Sequence, residues 1–198
     1  MLSDLTIELN SFIDKSHLVL WPWVSCLAGL WIFNIFNWVI GSKLNVLGIL
    51  PRRASGLVGI IFCPFLHQNF NHLFFNTIPL FVLGLILLAQ GTEIFIWATL
   101  TSTILGGLLV WLFARRALHI GASGLISGYF GFIILGAYFE PSVTTILLAV
   151  LVLYYFGGIF LGIFPQEKGI SWESHLFGFL SGILGAFLMR FIPINSFL

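Results

Sequence analysis

Three small groups of polar residues stand out in a chain that is otherwise mostly apolar. A serine lies between glycines in Gly121-Ala122-Ser123-Gly124, His175 opens the last apolar stretch, and His72 and Asn76 lie four residues apart. Residues at that spacing share one face of a helix. A serine, a histidine that accepts its proton and two further hydrogen-bonding side chains are the groups that acyl transfer requires.

Each group also has a purely structural interpretation. Small residues allow transmembrane helices to pack closely, and hydroxyl groups in such helices usually bond their own backbone. Ser123 taken alone favours that interpretation. The additional presence of His175, His72 and Asn76 favours chemistry.

The composition places the chain in a membrane. Of its 198 residues, 59% are hydrophobic and 8% are charged, and the mean hydropathy is +1.08, whereas a soluble domain carries about 25% charged residues. A net charge of +1 without a basic cluster argues against a nucleic-acid partner. Cys26 and Cys63 are interpreted as packing residues and not as a disulfide or a metal site.

The fold predicted from these features is an all-α membrane protein with six transmembrane helices and a long interfacial first loop. Residues 1–17 form a polar N-terminal segment, and residues 18–198 form a single transmembrane domain. The first loop covers residues 41–69, where basic residues alternate with apolar stretches. The six spans are predicted at approximately residues 18–40, 70–89, 93–114, 123–139, 141–164 and 174–192.

The order of the spans predicts that the polar groups lie level with one another. Because successive spans alternate in direction, spans two, four and six begin at the same membrane surface. His72, Ser123 and His175 open these three spans, so we expect them near one surface. Gly178 lies one turn below His175 and predicts close contact between spans four and six.

These positions predict a role for each residue. Ser123 is the nucleophile and His175 takes its proton. Ser123 also opens a helix, where free N–H groups and the positive end of the dipole favour an anion, and His72 and Asn76 add donors to it. No acidic residue is placed to orient His175, so the prediction is a dyad. His119 is the alternative base, disfavoured by its position in a loop.

The acidic residues lie outside the predicted spans or at their ends, so no buried carboxylate is expected. Without one, a proton relay, an aspartyl protease pair and a zinc site are all disfavoured, and we predict no metal and no other cofactor. Asn34 and Asn37, inside span one, are expected to bond a neighbouring helix. His67 either lines the cavity or anchors the first loop.

Taken together, the motifs resemble the rhomboid family of intramembrane serine proteases, in its bacterial form with a six-span core. The resemblance covers residues 64–185 and rests on His67-x4-His72-x3-Asn76, Gly121-x-Ser123-Gly124 and His175-x2-Gly178. It implies a catalytic Ser123–His175 dyad with an oxyanion hole formed by His72, Asn76 and the Ser123 backbone N–H. It implies supporting roles for His67, Gly121, Gly124, Ser127 and Gly178.

The resemblance also implies partners and a location. Substrates would be single-span membrane proteins in the lipid bilayer, cut near a helix-destabilised segment after a small residue. The site would be a water-filled cavity below one surface, covered by the loop that precedes span six. The protein would be a multi-pass integral protein of the bacterial inner (plasma) membrane.

The chain departs from the family pattern in three respects. Many bacterial members carry a Trp-Arg pair in the first loop, where this chain has Leu57-Val58-Gly59. Many have a tyrosine four residues after the nucleophile, where this chain has Ser127. Either the histidine is held less tightly here, or another aromatic residue such as Tyr129 or Phe177 takes the place of the tyrosine. Lys and Arg are more numerous on the active-site face, which the positive-inside rule places in the cytoplasm, whereas the family pattern places that face outside.

Two other classes of function are alternatives to proteolysis. An inactive rhomboid-like protein that binds membrane-protein clients usually lacks the serine, the histidine or the glycine motif, and this chain keeps all three. A small transporter or channel is disfavoured by the lack of intramembrane carboxylates and of internal repeats.

Overall fold

The computed structural model describes residues 2–164 and 171–192. Within these ranges the chain is helical apart from its loops and a single bridge between Ile49 and His119. The α-helices in chain order are α1 (Leu2–Val39), α2 (Gly59–Phe62), α3 (Phe70–Gln90), α4 (Thr92–Leu100), α5 (Gly106–Phe113), α6 (Ser123–Phe139), α7 (Val143–Phe156), α8 (Gly158–Leu161) and α9 (Trp172–Met189). A π-helical turn (Thr101–Leu105) joins α4 to α5, and 3-10 turns lie at Lys43–Leu47, Ala54–Gly56 and Cys63–Phe65.

The long helices occupy the positions of the six predicted spans, and the predicted all-α membrane bundle is confirmed. Thr6–Val39, Phe70–Gln90 and Thr92–Phe113 are long and apolar enough to cross a membrane by length and composition, and Ser123–Phe139 and Val143–Phe156 are shorter apolar helices. Helix α1 runs without a break through most of the polar N-terminal segment. The division of the chain at residue 18 therefore stays a prediction.

Helices α6 and α9 pack backbone against backbone. A methyl group added at Gly178 would overlap the carbonyl oxygen of Gly124, and one added at Gly182 would overlap that of Gly128. The close approach expected of spans four and six is therefore present in the structure. It brings the first turn of α9, which carries His175, beside the first turn of α6.

The first loop folds against the end of α5. Arg52 donates from Nη1 to the carbonyl oxygens of Leu112 at 3.0 Å and Ala114 at 2.8 Å, and a cation is favoured at a helix C-terminus. Trp111 Nε1 donates to the Arg53 carbonyl at 2.8 Å. An arginine of the loop and a tryptophan of α5 thus hold the first loop in place, in a chain that has Leu57-Val58-Gly59 where the resemblance implies a Trp-Arg pair.

The two asparagines of α1 are fully buried, and both bond the first loop. Asn34 accepts from the His67 N–H at 2.9 Å and donates to the Phe65 carbonyl at 2.9 Å. Asn37 donates to the side chain of Asn45 at 2.9 Å. The expectation that they bond a neighbouring helix is wrong, because the first loop folds back along α1 and supplies the partners.

We predict that Gly178→Val lowers stability by about 3 kcal/mol or more, since the backbone of α6 cannot move aside as a flexible side chain would. The matched control is Gly136→Val on α6, where an added methyl group meets no atom within 4 Å in the part of the chain that the structure describes. Thermal unfolding in detergent compares the two variants. A wild-type unfolding midpoint for Gly178→Val would contradict the packing of α6 on α9.

Candidate active site

Four of the predicted site residues line a single cavity of about 830 Å³: Ser123, His175, His72 and Asn76. They come from the first two turns of α3, α6 and α9. The cavity wall is completed by loop residues, several of them polar, including Asn45, Gln68, Arg115, His119 and Ser171. The structure therefore brings together the side chains that we expected near one membrane surface from the order of the spans.

The two residues that precede Ser123 are anchored to the first loop. The Gly121 N–H donates to the Cys63 carbonyl at 3.0 Å, and the Ala122 N–H donates to His67 Nε2 at 3.4 Å. Gly121 has a φ of +117°, a conformation that strains any residue with a side chain. This backbone path delivers Ser123 to the first position of α6.

Gly121 also lies directly against the predicted oxyanion donors. A methyl group at this position would lie 2.6 Å from His72 Nε2 and 3.5 Å from Asn76 Nδ2. Both side chains therefore reach the backbone immediately before Ser123. Glycine is required at this position for two reasons: the backbone φ is positive, and His72 leaves no room for a side chain.

Both of these side chains present a hydrogen-bond donor. His72 Nδ1 accepts from the Gln68 N–H at 3.5 Å, so the ring proton of the neutral imidazole lies on Nε2, which faces Gly121. Asn76 Nδ2 is buried and has no hydrogen-bond partner among the residues that the structure describes. A buried donor without an acceptor is costly, and an anion formed near Ser123 would remove that cost.

His175 has the opposite tautomer. Its Nδ1 lies 3.0 Å from the carbonyl oxygen of Gly162, at the end of α8. Because a carbonyl oxygen only accepts, Nδ1 carries the proton and Nε2 is the bare nitrogen. A bare Nε2 is what a general base needs.

The aromatic residues expected beside His175 pack elsewhere. The ring of Tyr129 packs against Phe95, with centroids 5.8 Å apart, and its hydroxyl lies 2.6 Å from Thr99 Oγ1. The ring of Phe177 packs against Phe113 at 6.1 Å. The expectation that either ring replaces the missing tyrosine is therefore wrong, and the oriented contact of His175 is with the backbone at Gly162.

His67 lies beneath the cavity and not in its wall. Its side chain is fully buried, and its ring packs edge-on against His72 with centroids 5.1 Å apart. Burial, and then the neighbouring His72, lower the pKa of His67 to about 3, so the ring is neutral at physiological pH. Of the two interpretations left open, the structure favours the anchor, since His67 ties Ala122 to the first loop.

His119, the alternative base, is occupied by other groups. Its Nε2 lies 3.1 Å from the Arg115 carbonyl oxygen and its Nδ1 lies 2.5 Å from Ser171 Oγ. Burial lowers the pKa of His119, against the opposing effects of the Arg115 carbonyl and Glu173. Both ring nitrogens have partners, so His119 is poorly placed to deprotonate Ser123.

The expectation that no carboxylate is buried is wrong. Glu173, in the first turn of α9, is only 5% exposed. Its Oε1 lies 3.4 Å from Arg115 Nε, and the Arg115 N–H also donates to it at 3.4 Å. The loop before α6 turns back so that Arg115 reaches α9, which the linear sequence does not reveal.

The remaining predicted residues do not line the cavity. Gly124 and Gly178 form the contact between α6 and α9, and Ser127 is 1% exposed, with no partner for its hydroxyl in the described part of the chain. The segment predicted to cover the cavity includes residues 165–170, which lie outside the described residues. Within residues 2–164 and 171–192, no three His, Cys, Asp or Glu residues are grouped to hold a metal ion.

Comparison with known proteins agrees with this architecture. The family model described as Rhomboid domain matches residues 54–191. Uncharacterized proteins of Mycobacterium bovis and Mycobacterium tuberculosis are 41% identical to this chain over 171 residues, which cover 82% of the chain and 71% of each relative. An uncharacterized protein of Mycobacterium leprae is 36% identical over 172 residues, covering 82% of this chain and 68% of the relative. The chain belongs to the rhomboid family.

Proposed function

We propose that this integral membrane protein is an intramembrane serine endopeptidase that cleaves transmembrane segments of single-span membrane proteins. The observation that carries the proposal is the single cavity lined by Ser123, His175, His72 and Asn76. The matches to mycobacterial proteins support a bacterial plasma membrane as its location. Its immediate partners are then the lipid bilayer and the substrate helix.

In the proposed reaction Ser123 Oγ attacks the scissile carbonyl carbon while His175 Nε2 accepts the hydroxyl proton. The Gly162 carbonyl keeps the His175 proton on Nδ1, so Nε2 is free to act. The same nitrogen then donates the proton to the leaving amine. Water attacks the resulting acyl-enzyme by the reverse sequence and releases the second product.

The developing oxyanion is proposed to bind three donors. His72 Nε2–H and Asn76 Nδ2 supply two of them, and the Ser123 backbone N–H supplies the third. The last belongs to the first turn of α6, where N–H groups lack intrahelical acceptors and the helix dipole favours an anion. Each such donor is typically worth about 10²- to 10³-fold in rate.

The alternative is a rhomboid-family protein without proteolytic activity that binds membrane-protein clients. Ser127 in place of the usual tyrosine is the observation in its favour. The hydrogen bond between His175 and Gly162 weakens this argument for an inactive protein, because it gives the imidazole an orienting partner without an aromatic ring.

We predict that Ser123→Ala and His175→Ala each reduce cleavage of single-span substrates in liposomes below detection, by about 10⁶-fold, because the two residues act as one unit. The matched control is Ser181→Ala on α9, whose hydroxyl donates to the Phe177 carbonyl at 2.7 Å. Wild-type cleavage by Ser123→Ala, in protein shown to be folded, would overturn the proposal.

We predict that His72→Ala and Asn76→Ala each lower kcat by about 10²- to 10³-fold with little change in KM, because their donors bond an anion that forms only in the transition state. Steady-state cleavage of one substrate by both variants provides the measurement. If either variant raises KM and leaves kcat unchanged, that side chain binds substrate and is not part of an oxyanion hole.

A further inference from the structure

The contact between His175 and Gly162 is made by two helices that are separate in the fold. Gly162 follows α8, the single helical turn that continues α7, and His175 lies thirteen positions later on α9. Their hydrogen bond measures 3.0 Å between Nδ1 and the carbonyl oxygen. The imidazole is therefore oriented by an element other than the helix that carries it.

Gly162 is required at this position for space. A methyl group added there would lie 2.5 Å from His175 Nδ1 and 3.2 Å from Cε1. The backbone of Gly162 is right-handed, with φ −67° and ψ −15°, a conformation that alanine adopts without strain. The added methyl group would also lie 3.1 Å from the Ile159 carbonyl oxygen, so its closest contact, and the main effect expected of a side chain at Gly162, is with the imidazole.

Helix α8 contacts the bundle through partly exposed side chains, and its Ile159 packs against the main core. None of its residues, Gly158–Leu161, is buried. Its Phe160 ring packs edge-on against Phe179 of α9, with centroids 5.7 Å apart. Phe179 lies one turn after His175 on α9, so one of the contacts of α8 lies close to the imidazole that Gly162 orients.

From this geometry we infer that Gly162 is a positioning residue for His175. Its carbonyl oxygen takes the part that a carboxylate plays in a serine protease triad, because it keeps the proton on Nδ1 and leaves Nε2 bare. The inference rests on the proposed function, in which Nε2 is the base. It adds that the residue after α8, at the end of the fifth span, orients the base that α9 carries.

The direct test is the ¹⁵N spectrum of the intact chain with labelled histidine. The His175 signal is assigned as the one that disappears in His175→Gln. We expect wild type to carry the proton on Nδ1, and Gly162→Ala to lose this preference. The matched control is Gly158→Ala, in the same short helix, where an added methyl group meets no atom of the described residues within 4 Å. A purely structural role for Gly162 would leave the tautomer unchanged.

The same variants are compared for the rate at which a fluorophosphonate modifies Ser123. Misplacement of a catalytic group by about 1 Å costs on the order of 10²-fold in rate, so Gly162→Ala is expected to lower the rate of Ser123 modification by about that factor. Gly158→Ala is expected to react at the wild-type rate. Both variants are expected to unfold at similar temperatures. A proton on Nε2 in wild type, or a wild-type rate for Gly162→Ala, would overturn the inference. The Nδ1 tautomer in a wild type that is never modified would support the inference and contradict the proposed function instead.

Discussion

The close contact of α6 with α9 is the constraint on which the site depends. Gly124 and Gly178 leave no room for a methyl group between the two backbones. In a bilayer, helices gain little from the hydrophobic effect when they associate, so packing of small residues is a main source of affinity. The same contact sets the lateral distance and the depth of the two first turns, and these turns carry Ser123 and His175.

A second feature is the use of neutral backbone groups to orient the imidazoles. The Gln68 N–H orients His72, the Gly162 carbonyl orients His175 and the Arg115 carbonyl orients His119. A carboxylate would do the same work, but an ionised group at membrane depth is expensive unless it is paired. The buried carboxylate of Glu173 is paired with Arg115. The Glu173–Arg115 pair fixes the loop before α6, whereas a backbone group contacts one ring nitrogen of each of these three histidines.

The sequence predicts the parts of the site that depend on helix periodicity and on the order of the spans. The level placement of His72, Ser123 and His175 follows from the alternation of the helices, and the contact at Gly178 follows from the spacing of small residues. The loop contacts could not be predicted in this way. Asn34, Arg115 and Gly162 meet partners whose positions depend on how the loops fold, and a backbone carbonyl leaves no signal in the sequence.

The most direct test of the account is to map where a fluorophosphonate reacts with the folded, detergent-solubilised wild-type protein. Intact mass followed by peptide sequencing identifies the modified residue. We predict a single adduct on Ser123, because that hydroxyl lies in the cavity with an imidazole whose Nε2 is bare. Folded protein that forms no adduct, or forms it on another serine such as Ser171, would contradict the assignment of Ser123 as the nucleophile.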